Sequence, residues 1–67
     1  METLDELIAV LGTCTEAQRR RFLLYALDRL SLAEIGELCG CPKVAVYQSV
    51  EAVRKKFINF FENRLNE

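Results

Sequence analysis

The sequence predicts an all-α domain built around a helix-turn-helix. Three observations carry this. Capping signatures of the form Ser/Thr-x-x-Glu/Gln occur at Thr3–Glu6, Thr15–Gln18 and Ser31–Glu34. Each pairs a side-chain acceptor with the amide three residues on, the mark of a helix start. Apolar residues then recur at helical spacing after every box. No strand signal, repeat, low-complexity tract or linker breaks the 67 residues, which fit one domain over 1–67. A chain this short has a thin stability margin, because it buries only about 60% of its unfolded surface.

Helix one is expected over about 4–11, with Leu4, Leu7, Ile8 and Leu11 inward and Gly12 as a left-handed stop. Helix two follows the Thr15 box over about 16–28, its stripe formed by Phe22, Leu23, Ala26, Leu27 and Leu30. Arg19, Arg20 and Arg21 step about 100° apart, so at least one points away from the core. Helix three runs over about 32–39, buries Leu32, Ile35 and Leu38, and ends at Gly40. Gly36 stands mid-helix at a cost of about 1 kcal/mol, which implies a steric reason such as a helix crossing there. Pro42 suits a helix start, where its missing N–H is not needed. Helix four, about 43–64, carries an apolar seam of Val46, Val50, Val53, Phe57 and Phe60, with Phe61 and Leu65 on a second stripe.

Helix three, the Gly40-Cys41-Pro42 corner and helix four have the order of a helix-turn-helix, with its core at about 31–57. In that motif the second helix enters the major groove. With the valine seam inward, the outward positions are Lys43, Val44, Tyr47, Gln48, Glu51, Arg54 and Lys55. Lys43 suits a phosphate or a guanine edge, Gln48 an adenine, and Val44 or Tyr47 a thymine methyl. Arg54, Lys55 and Lys56 suit the sugar-phosphate backbone, which positions a protein but carries no sequence information.

The formal net charge is −1. Residues 1–42 hold four basic and seven acidic side chains, and residues 43–67 hold five and three. The C-terminal half therefore has the sign a DNA-facing half needs. There is no histidine, no paired carboxylate in a plausible pocket and no phosphate loop, so no enzyme is expected. The three cysteines are an odd set for a disulfide framework. Cys39-x-Cys41 with Cys14 does not match the spacing of zinc pairs, and the three read as small hydrophobes. No cofactor, metal or small-molecule substrate is expected. No apolar run reaches bilayer length and the acidic start is not a secretory signal, so the expected location is cytoplasmic, at the nucleoid.

The stretch from Thr15 to Phe61 resembles region 4 of the bacterial RNA polymerase sigma factors. The shared features are its T-E-x-Q-R opening, its S-L-x-E-I-G-x-L-x-G helix and turn, and its closing V-x-x-x-V-x-x-x-R-K-K-F. It is most similar to the extracytoplasmic-type sigma factors and the sigma-like proteins of phages and mobile elements. The resemblance implies reading of a promoter −35 element in double-stranded DNA by helix four. Lys43, Val44, Tyr47 and Gln48 would face the bases, with Arg54 and Lys55 near phosphates. It also implies docking on the β flap of RNA polymerase through the apolar face of helix two and the end of helix four. The chain departs from the pattern at Pro42, where a Ser or Thr cap is usual, and at Val44 and Tyr47. Nothing in it resembles region 2, so it is a region 4 fragment or a stand-alone regulator; Met1 and the helix at 4–11 favour the latter. Two alternatives stand beside this. One is a homodimeric repressor or activator, with Phe57, Ile58, Phe60, Phe61, Leu65 and helix one as a seam. The other is a polymerase-binding or anti-sigma module without DNA affinity.

Overall fold

The computed structural model describes residues 2–65, with side chains over 4–63. Four helices follow in order: α1 (Glu2–Gly12), α2 (Glu16–Ala26), α3 (Leu32–Cys39) and α4 (Lys43–Leu65). Among the described residues there is no strand. The fold class is all-α, as the sequence predicts.

Two of the three boxes form as expected. The Gln18 amide donates to Thr15 Oγ1 and the Thr15 amide to Gln18 Oε1, both at 3.1 Å. The Glu34 amide donates to Ser31 Oγ at 3.1 Å and the Ser31 amide to Glu34 Oε1 at 2.8 Å. The Thr3 side chain lies outside the described residues, and α1 already includes Glu2.

The helix ends differ from expectation in two places. α2 stops at Ala26 rather than 28, because Arg29 takes a left-handed φ of 57°. That reversal brings the Leu30 amide to the Leu24 carbonyl at 3.2 Å and returns Leu30 to the core. Gly12 is not a left-handed stop: among the described glycines only Gly40 has positive φ, at 68°. The last carbonyls of α1 are met by other donors. Thr13 Oγ1 donates to Val10 O at 2.7 Å and Arg19 Nη1 to Leu11 O at 3.0 Å, and just past the helix Lys56 Nζ donates to Thr13 O at 2.8 Å. Cations there also complement the negative end of the helix dipole.

The core is centred on the helix-turn-helix. Ile35, Val46 and Val50 are buried together, and Phe22, Leu24, Leu30, Leu32, Cys39 and Cys41 pack around them. Val53 is fully buried on the same seam, and Phe57 continues it onto Phe22 with ring centroids 5.6 Å apart. The valine seam is therefore core, and the cysteines are free and buried or half-buried.

Three inward faces need correction. In α1, Leu4, Leu7 and Ile8 are exposed and Val10 is the buried residue. α1 packs chiefly on α4, so most of its apolar stripe faces no neighbour. In α2, Leu24 turns inward while Ala26 and Leu27 face out. In α3, Leu38 is exposed and Cys39 takes its place against the core.

Gly36 has a steric reason, and it is the turn rather than a crossing helix. A Cβ at Gly36 would lie 2.6 Å from the Cys41 carbonyl oxygen. The Gly36 carbonyl accepts the Cys41 amide at 2.9 Å and the Gly40 amide that caps α3. The chain thus folds directly back over Gly36, and this fixes where α4 begins.

Candidate nucleic-acid interface

The start of α4 is set by Pro42, whose carbonyl accepts the Ala45 and Val46 amides at 3.0 and 3.3 Å. Burial of Val46, Val50 and Val53 then fixes the rotation of the helix. At about 100° per residue, Lys43, Val44, Tyr47, Gln48, Glu51, Arg54 and Lys55 fall within an arc of about 140° that the buried valines do not enter, with Gln48 and Lys55 opposite the seam and Lys43 and Arg54 at its edge. All are exposed except Glu51, which is half-buried. Val44 is 61% and Tyr47 51% exposed, high values for apolar and aromatic side chains with an apolar core close by.

The predicted positions therefore share one face, but they are not equally free. Glu51 takes two hydrogen bonds from Arg54, Nε to Oε2 at 3.0 Å and Nη2 to Oε1 at 2.9 Å. The Arg54 guanidinium holds the Glu51 carboxyl below its usual range, and Glu51 raises Arg54 in turn. Arg54 remains 58% exposed at the side chain, so its other edge faces outward. Lys43 and Lys55 are exposed cations at either end of the face.

Lys56 does not join them. It lies on the far side of α4 and is used on the Thr13 carbonyl. Two further cations serve the fold. Arg19 binds the Leu11 and Cys14 carbonyls, and Arg21 Nη1 donates to Ser49 Oγ at 2.9 Å. Ser49 is buried, and this bond ties α2 to α4. Sequence reasoning missed Ser49 altogether. Its only signal is a small polar residue next to the valine seam, one position before Val50. Arg20 is the member of the arginine triplet that points away.

A tight turn that locks two helices together, with the second presenting an exposed, mixed polar and cationic face, defines a helix-turn-helix protein. The family is now plain as well. A model described as "Putative helix-turn-helix protein, YlxM / p13 like" matches residues 1–66, and the chain belongs to that family. No curated protein and no solved structure was found to match it. No helix among the described residues is long and apolar enough to cross a membrane.

Proposed function

We propose that this chain is a DNA-binding transcription regulator of the sigma region 4 type, with a binding and not a catalytic role. α4 lies in the major groove. Lys43, Val44, Tyr47 and Gln48 meet base edges, while Arg54 and Lys55 sit near phosphates. The observation that carries the reading is the joint exposure of those first four side chains on the first turns of α4. Such N-terminal positions are the ones that reach bases in helix-turn-helix complexes.

Contact with the β flap of RNA polymerase is part of the proposal. Its support is the apolar surface at the end of α2, where Leu23, Leu24 and Leu27 line one concavity and Leu27 is 72% exposed. Exposed clusters of this kind mark interaction sites. The charge distribution favours the same arrangement. On the α4 face Lys43 and Lys55 are exposed cations while Arg54 is shared with Glu51, so affinity for DNA alone is weak, in the range of about 10⁻⁴–10⁻⁶ M expected of non-specific binding. Tethering to polymerase raises the effective concentration at the promoter and compensates.

An amide-shift NMR titration with a short generic duplex at two salt concentrations tests the DNA reading. Shifts centred on Lys43–Gln48 that shrink with salt are expected. Absence of shifts at low salt would refute the reading, and a titration with the isolated β flap would then test whether the fold serves protein contact alone.

A further inference from the structure

A concavity with apolar walls lies along α4, beyond the proposed base-reading residues. It is a groove of about 570 Å³ between α1, α2 and α4, lined by Leu7, Phe22, Phe57, Ile58 and Phe61 and closed at its ends by Arg54 and Glu62. Ile58 and Phe61 are each more than 40% exposed, and Leu4 and Ile8 extend the apolar surface along α1 with exposures of 57% and 60%. An apolar surface of this kind on a small chain marks a site of association.

We propose that the occupant is a second copy of this chain, docked through α4 in antiparallel register about Ile58. The support is the order of charges along the groove. Arg54 lies four residues before Ile58 and Glu62 four residues after it. A two-fold axis at Ile58 sets Arg54 of each copy against Glu62 of the other and stacks the two Ile58 side chains at the centre. A parallel partner would set Arg54 against Arg54 and Glu62 against Glu62, which is repulsive at both ends. The sequence cation, apolar patch, anion is thus its own complement under the symmetry that homodimers use. Arg54 meets the second copy's Glu62 without leaving Glu51, because a guanidinium carries five N–H donors and Glu51 takes two.

Ile58 lies on the same side of α4 as Tyr47 and Glu51, so it is the position along the helix that leaves its first turns free. The second copy's α4 ends at Leu65, which falls opposite Glu51 when Ile58 meets Ile58. Lys43, Val44, Tyr47 and Gln48 therefore lie beyond its end. A standard interface covers about 800 Å² on each side, roughly one-sixth of the 4921 Å² surface of this chain. The α1 and α4 apolar residues together supply the centre of such a patch.

Charge reversal tests the seam without reference to DNA, so its outcome is independent of the function proposed above. Sedimentation of the wild-type chain at about 100 µM should give twice the 7.7 kDa chain mass. Arg54→Glu and Glu62→Arg should each weaken the dimer by about tenfold or more, since each puts like charges together at both ends. An equimolar mixture of the two variants should recover the dimer, because every cross-pair then joins opposite charges. Circular dichroism melts of both variants check that they remain folded. A wild-type chain that stays monomeric would overturn the proposal. Single reversals without effect, or a mixture that stays monomeric, would overturn the register.

Discussion

Gly36→Ala should destabilise this protein, although alanine is the better helix former. The substitution gains about 1 kcal/mol of helix propensity in the middle of α3. Against this, the new Cβ would stand 2.6 Å from the Cys41 carbonyl oxygen, with the Lys43 amide nitrogen 3.6 Å away. The blocking atom is backbone, so it cannot swing aside as a side chain does. Forcing the turn outward is an overpacking change of about 1–3 kcal/mol. It also stretches the 2.9 Å bond from the Cys41 amide to the Gly36 carbonyl, a further loss of about 1 kcal/mol. The net loss is about 2 kcal/mol, and at about 4–8 °C per kcal/mol the melting temperature should fall by roughly 8–16 °C. Thermal unfolding followed by circular dichroism measures it. Gly12→Ala is the control, because nothing lies within 4 Å of a Cβ there and its φ is not positive. That variant should melt at or above the wild-type temperature. If Gly36→Ala also melts at or above it, the turn does not press on α3 as described.

Three further outcomes are expected. Arg29→Gly should raise stability by about 0.5–1 kcal/mol in urea unfolding, because Arg29 is strained at φ 57° and glycine is not; unchanged or lower stability would contradict that account. Glu34 is held below its ordinary value of 4.5, chiefly by its hydrogen bond to the Ser31 backbone and then by the Ser31 side chain. A depressed folded-state pKa stabilises above the unfolded value and loses that contribution as pH falls through the folded one. Glu34→Gln keeps the box, as Gln18 does in α2, so its urea midpoint should decline less than that of wild type below about pH 4.5. For DNA, the two unshared cations Lys43 and Lys55 give a slope of log K against log salt of about −1.8, and Lys43→Gln or Lys55→Gln should each reduce it by about one. Lys56→Met should leave that slope unchanged and lower stability instead, since Lys56 is bound to Thr13 O; anisotropy titrations over a salt series separate the two.

Much of this molecule was legible in the order of its residues. Both described capping boxes, the bounds of α3, the left-handed Gly40 and the valine seam follow from local chemistry: a short side chain meeting an amide, or a period of 3.6 residues. The seam also placed Lys43, Val44, Tyr47 and Gln48 on one outer face, because rotation of a helix is fixed once three of its positions are buried. Periodicity shows that a helix has an apolar side. It does not show whether another element covers that side. Leu4, Leu7 and Ile8 repeat as well as the valines do, yet α1 meets mainly α4 and leaves them in solvent. Nor does sequence spacing tell which cations are free. Arg19, Arg21 and Lys56 bind groups five to 43 residues away, so only the tertiary structure removes them from the set available to a ligand. Gly36 lies between the two cases: its cost within a helix was visible in the chain, but the carbonyl that requires it was placed there by the return of the turn.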